Sequence, residues 1–157
     1  MREAIPIDPT SITESDEARF CAKWKRGAGR CWVWDGCRRG DGYGRFGFSG
    51  RIVYAHRFSW VVSNQRSIPD GLTLDHLCRN PSCVNPEHLT PATLGENVLR
   101  GHGPSAVNKR KTHCCRGHEL SGANLKATST GWRRCRTCHN ESMRRLRARR
   151  RLIQSQT

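Results

Sequence analysis

Apolar positions change their spacing several times along the 157 residues. Between residues 11 and 26, Ile12, Phe20, Cys21 and Trp24 interleave with charges, which predicts a short amphipathic helix that Thr13 or Ser15 can cap. The period then shortens: residues 31–34, 43–48 and 51–54 read as brief strands, parted by turn pairs at Asp35-Gly36, Asp41-Gly42 and Ser49-Gly50. Residues 55–64 predict a helix, closed by a turn around Pro69-Asp70-Gly71, and 72–77 a strand. Residues 79–88 form a loop rich in Pro and Asn, 93–99 the start of a helix, and 140–153 an Arg-rich helix. The expected organisation is an N-terminal helical segment (1–26), a central domain (27–103), a basic linker (104–113) and a C-terminal Cys/His module with its basic helix (114–157).

Composition limits what such elements can do alone. Only 35% of residues are apolar, so the core must be small and something besides apolar burial should hold the fold. No apolar run approaches the roughly 20 residues needed to cross a bilayer, so no membrane span is expected. The net charge of +15 is unevenly spread: 14 basic against 11 acidic side chains in residues 1–100, and 14 against 2 in 101–157. That asymmetry points to a polyanionic partner reached by the C-terminal third. Nine cysteines accompany an opening, MREAIPIDPTSITESDE, without the apolar stretch of a secretory signal. The expected compartment is therefore reducing and cytoplasmic, where clustered cysteines read first as metal ligands.

Two clusters carry that chemistry. In the first, Cys78, Cys83 and His88 follow one another at five-residue intervals, in a loop that Pro81 and Pro86 keep non-helical. Such a set suits three ligands of a tetrahedral zinc, with Cys31 as the fourth or Cys37 in its stead. His76 and Asn97 lie outside that set. An Asp75-His76 pair at a strand end, with an amide arriving from a downstream helix, offers oxygens to a hard divalent cation and an imidazole that can accept a proton from water. The plainer alternative is a packed histidine and an amide satisfying a backbone group. In the second cluster, Cys135-Arg136-Thr137-Cys138 with Cys114 and His118 completes a three-cysteine, one-histidine set, Cys115 being the alternative to Cys114.

The text CWVWDG, then GYGRFGFSGRIVYAHR, then LDHLCRNPSCVNPEHLTPATLGENVLRG resembles the phage-type HNH endonucleases with a zinc loop, and is similar to the His-Cys box homing endonucleases. Counted from His76, the cysteines fall at +2 and +7, the second histidine at +12 and the asparagine at +21. The Cys114-to-His118 spacing is also familiar in phage HNH proteins. The resemblance implies an α+β fold: a small zinc-stabilised ββα-metal nuclease domain with short antiparallel strands, plus a C-terminal zinc knuckle and basic helix. It implies His76 as general base, Asn97 and Asp75 as ligands of a catalytic magnesium or manganese, and structural zinc on Cys31, Cys78, Cys83 and His88. Arg57 is the choice for a further stabilising cation, its alternative being a surface arginine paired with an acid. The second zinc would use Cys114, His118, Cys135 and Cys138.

The expected activity is hydrolysis of DNA phosphodiester bonds, as a nick or a double-strand cut, leaving 3′-hydroxyl and 5′-phosphate ends. Arg144, Arg145, Arg147, Arg149, Arg150 and Arg151 would contact phosphates of double-stranded DNA. The protein would act as a monomer or homodimer, in the host cytoplasm if phage-encoded. The competing expectation is a zinc-finger DNA-binding protein without catalysis. Such a module has no need of a histidine and an asparagine at catalytic spacing outside the zinc set.

Overall fold

A computed structural model describes residues 5–128 and 131–154. The chain divides into two compact units, Met1–Asn97 and Val98–Thr157. No helix among the described residues is long and apolar enough to cross a membrane.

The first unit opens with helix α1, Glu14–Cys21. Thr13 is its cap: the hydroxyl accepts from the Asp16 amide at 3.2 Å, while the Asp16 carboxylate accepts from the Thr13 amide at 3.1 Å. The helix delivers Phe20 to the core. Strands β1 (Trp24–Arg26) and β2 (Trp32–Trp34) pair antiparallel, and their Trp24 and Trp32 rings stack at 4.3 Å. The expected N-terminal helical segment is thus a short helix followed by a strand that belongs to the central domain.

Strands β3 (Arg45–Phe48) and β4 (Arg51–Tyr54) form a hairpin. Its two-residue turn holds Ser49 and Gly50 at φ 49° and 71°, the left-handed pair that matches the twist of the flanking strands. Helix α2, Ala55–Asn64, follows directly and buries Ala55, Phe58, Trp60 and Val61. The Phe20 ring lies 5.2 Å from Trp34 and 5.1 Å from Phe58, and meets Phe46 edge-on at 5.5 Å. Four aromatic rings from four elements therefore pack together in the core. Gly44 is required beside it, because a Cβ there would lie 2.7 Å from the Trp34 ring.

A second hairpin carries the chemistry. Strands β5 (Thr73–His76) and β6 (Leu89–Ala92) pair antiparallel with His76 opposite Leu89, and helix α3 (Leu94–Arg100) follows. Thr93 and Glu96 exchange the same reciprocal cap as at α1. This β5-β6-α3 succession is a ββα unit.

In the second unit, residues read from sequence as a linker are folded. Helix α4, Pro104–Arg110, buries Ala106 completely. The Arg133 guanidinium donates to the carbonyls of Asn108, Lys109 and Lys111 at 2.8, 2.8 and 2.9 Å, tying the end of α4 to strand β8 (Arg133–Cys135). Strand β8 pairs with β7, Leu125–Ala127. Helix α5 runs Arg136–Gln154, starting four residues earlier than the charge pattern predicts. The early start comes from Asn124, whose side-chain oxygen accepts from the amide and hydroxyl of Thr137 at 3.0 and 2.9 Å.

Candidate functional site

Strand β2 positions the first Cys/His cluster. Its Trp34 amide donates to Ser82 O and its Trp32 carbonyl accepts from Val84 N, so the loop after β5 is laid against the strand that Cys31 opens. The ligand atoms of Cys31, Cys78, Cys83 and His88 all lie within 4.8 Å of one another. His88 Nδ1 stands 3.6 Å from Cys31 Sγ and 3.5 Å from Cys83 Sγ. A tetrahedral zinc with bonds of about 2.3 Å to sulfur and about 2.0 Å to nitrogen separates the two atom types by roughly 3.5 Å. The cluster therefore fits zinc in both chemistry and edge length. Burial pushes the Cys83 thiol up to about 12, which a bound cation would reverse. Cys37 is exposed and outside the cluster, so the geometry selects Cys31.

The second cluster, in the other unit, joins Cys114, His118, Cys135 and Cys138. His118 Nδ1 lies 3.5, 3.3 and 3.7 Å from the sulfurs of Cys114, Cys138 and Cys135. Cys114 and Cys138 are 3.6 Å apart. Cys115 is exposed and outside the set. Both clusters could hold structural zinc.

Against the first cluster lies a cavity of about 220 Å³ whose walls include Asp41, Tyr43, Asp75, His76, Arg79 and Asn97. His76, 6% exposed, ends β5, and its Nε2 lies 2.9 Å from the Cys83 carbonyl. A carbonyl only accepts, so Nε2 carries the proton and Nδ1 keeps its lone pair. Burial lowers the His76 pKa below its ordinary value, against the opposing effects of the Cys83 bond and Asp75. That direction favours the neutral ring, the form a proton acceptor needs.

Asp75 is 1% exposed, and its Oδ1 accepts from Arg79 Nη1 at 2.6 Å. The first turn of α3 brings Asn97 to the same cavity, with its Nδ2 at 3.4 Å from Thr73 Oγ1 and its Oδ1 left to accept a cation or proton donor. Asp75 and Asn97 are both oxygen donors, the type a hard divalent cation takes. The structure thus brings His76, Asp75 and Asn97 together. Arg57, on α2, is not among the residues that line this cavity, and its Nε is buried without a hydrogen-bond partner. The cation that does line the cavity is Arg79.

Arg79, Asp41 and Tyr43 are absent from the sequence-based site. Asp41 reads as a turn residue, and Arg79 as part of the zinc loop. The one signal for Arg79 is its place four residues after Asp75, which a left-handed backbone at φ 58° converts into an ion pair. His56 is buried against Tyr43, Tyr54 and His76, the His56 and His76 ring centres being 4.8 Å apart. On α5, Arg144, Arg145, Arg147, Arg149, Arg150 and Arg151 are all exposed.

A ββα unit with a Cys/His loop between its strands, and an Asp-His pair facing an asparagine from its helix, defines a class of metal-supported nuclease domains. The HNH endonuclease family matches residues 53–99, and the chain belongs to that family. It is similar to Protein 2.8 of Escherichia phage T7, with 40% identity over 99 residues, 62% of each chain. It also resembles Protein 7.7 of the same phage, 36% identical over 67 residues, which cover 43% of this chain and 51% of that one. A third relative is the uncharacterized gene 5.3 protein of Enterobacteria phage T3, 36% identical over 69 residues, 40% of this chain and 67% of that one. The chain thus spans between half and two thirds of the length of these relatives. No solved structure matches.

Proposed function

We propose that the protein is a metal-dependent DNA endonuclease of phage type, working in the host cytoplasm, with His76 as general base. The observation that carries this reading is the His76 Nε2 bond to the Cys83 carbonyl. It fixes the tautomer from within the loop that holds the first Cys/His cluster, and does so beside two oxygen donors in one cavity. A structural zinc on that loop would keep the carbonyl in place.

Nδ1 of His76 accepts a proton from a water placed opposite the leaving 3′ oxygen, and the attack yields a 3′-hydroxyl and a 5′-phosphate. Asp75 and Asn97 would hold magnesium or manganese, which when bound stabilises negative charge developing on the phosphate and leaving oxygen. Arg79 holds Asp75 in its buried position and presents a cation at the rim of the same cavity. The exposed arginines of α5 supply contacts to the phosphates of double-stranded DNA, which position the duplex without reading its sequence. Both clusters contribute structural zinc, and the active form is a monomer or a homodimer.

The test is conversion of supercoiled plasmid by purified protein with and without magnesium or manganese. Nicked or linear product should appear only with the cation, and His76→Ala should lose about 10²–10⁴-fold in rate while still retarding DNA in a gel. Plasmids of diverse sequence left intact by the wild type with magnesium would reduce the protein to a zinc-stabilised DNA binder.

A further inference from the structure

The proposed nuclease chemistry uses nothing from a cavity of about 750 Å³ that residues of the second unit line. Its walls include Ser105, Asn108, Lys109 and Lys111 from the α4 region, and Trp132 and Arg133 from the β8 side. Trp132 is 71% exposed. The other four tryptophans all belong to the first unit, where Trp34 and Trp60 are buried and Trp24 and Trp32 half-buried. Leaving an indole in water forgoes a large apolar gain, about as much as burying any side chain provides.

The backbone beneath the exposed ring is nonetheless held. The Trp132 amide donates to Thr128 Oγ1 at 3.0 Å, and its carbonyl accepts from the Thr128 amide at 2.9 Å. The next residue, Arg133, spends its guanidinium on the three carbonyls of 108, 109 and 111, so it serves as a strut rather than a free cation. That strut joins the residue after Trp132 to the backbone that carries the two lysines. Among the described residues no carboxylate lines the cavity, and neither Lys109 nor Lys111 has an ion pair.

An exposed aromatic ring that shares a cavity with two lysines lacking acidic partners matches one ligand chemistry well. A flat π-system stacks on the indole while an attached phosphate meets the lysines, and amide and hydroxyl groups at Asn108 and Ser105 remain to meet polar edges. We propose that this cavity is a nucleobase-stacking subsite for an unpaired nucleotide of single-stranded or locally opened DNA, separate from the duplex contacts of α5. Bases inside a duplex are already stacked on both faces and offer none to the indole. The inference rests on the nucleic-acid reading above and extends it to a second strand state.

The test uses the full-length protein carrying His76→Ala, without added magnesium, and two probes: a 16-residue oligothymidylate and a duplex of equal length. The oligothymidylate should quench tryptophan emission, and Trp132→Phe should abolish most of that quenching, since the remaining four tryptophans lie in the other unit. Trp132→Ala should weaken oligothymidylate binding by roughly 5- to 150-fold, the range measured for removing one stacking platform. Trp132→Tyr should recover most of the loss, and duplex affinity should change less than about twofold. Lys109→Ala with Lys111→Ala should lower the log–log salt slope for the oligothymidylate by about 1.4.

Equal oligothymidylate affinities in wild type and Trp132→Ala would overturn the subsite while leaving duplex binding standing. So would a wild-type dimer that Trp132→Ala dissociates without changing oligothymidylate affinity, which would assign the cavity to self-association. Absence of binding to either probe at low salt would remove the nucleic-acid reading itself, and this inference with it. Trp132 is exposed, so its replacement leaves the fold intact, and an unchanged circular dichroism spectrum checks that.

Discussion

At the level of single residues, the two clusters turn ambiguous cysteines into distinguishable ones. Cys31 lies with Cys78, Cys83 and His88, while Cys37 is exposed three residues beyond β2. Metal content measured on purified variants should therefore fall from about two zinc per chain to about one in Cys31→Ser and stay near two in Cys37→Ser. The same contrast is expected between Cys114→Ser and Cys115→Ser. A second expectation concerns His56. Burial, with smaller contributions from His76 and Arg57, pushes its pKa well below the ordinary 6.5. Its neighbours are the Tyr43, Tyr54 and His76 rings and the Arg57 cation, with no carboxylate among them. Below about pH 6.5 the unfolded chain takes up a proton here that the folded chain refuses, so stability is present above that pH and is lost on acidification. The limiting slope is about 1.4 kcal/mol per pH unit. Urea unfolding between pH 7.5 and 5.5 should show a shallower acid loss in His56→Phe than in wild type. Phe fits the aromatic surroundings and removes a buried Nδ1 that has no hydrogen-bond partner. Equal slopes would mean that other groups govern the acid limb.

Among the elements, helix α5 has the plainest task. If its six exposed arginines make about six phosphate contacts, affinity for duplex DNA should drop roughly 10³-fold between 50 and 200 mM salt. Ending the chain at Ser142 keeps Cys135 and Cys138 and removes those arginines, so the salt slope should flatten. A slope unchanged by the truncation would rule the helix out as the phosphate contact. What made α5 legible also explains what was not legible. Hairpin β3–β4 and helix α2 are signalled locally, by the Ser49-Gly50 turn and by apolar spacing, and they lie where the sequence places them. The ligand loop and the residues of the ββα unit are legible because chemistry fixes their spacing. Strand β6 is not, since Leu89–Ala92 holds a proline and follows a loop without a strand period. Helix α4 and the β7–β8 pair are hidden for a related reason: they are polar stretches held by Arg133, Asn124 and the second Cys/His cluster, partners far away in sequence. Arg57 is not among the cavity-lining residues, and a basic residue beside a histidine carries no signal that would tell a lining position from a neighbouring one.

For the whole molecule, the two units hold themselves together by different means. The first contains the aromatic and aliphatic core from Ile7 to Leu89, thirteen buried hydrophobic residues in one cluster. In the second, Ala106 and Cys135 are the buried apolar residues among those described, and Cys135 is itself in a metal cluster. So few buried apolar side chains give this unit little hydrophobic gain to set against the entropy lost on ordering its chain. A structural zinc can then decide whether the unit folds, since such sites contribute apparent binding energies of about 10–16 kcal/mol, as large as a typical net domain stability of about 5–15 kcal/mol. Chelation should therefore act unequally. In hydrogen exchange with a strong zinc chelator, protection should vanish across residues 104–138, while the β3–β4 hairpin and α2 keep much of theirs through the Phe20, Trp34, Phe46 and Phe58 packing. Loss in both units at the same chelator concentration would show that the first unit depends on its metal as completely as the second. Persistent protection in the second unit would mean that the Arg133 and Asn124 hydrogen bonds hold it without zinc.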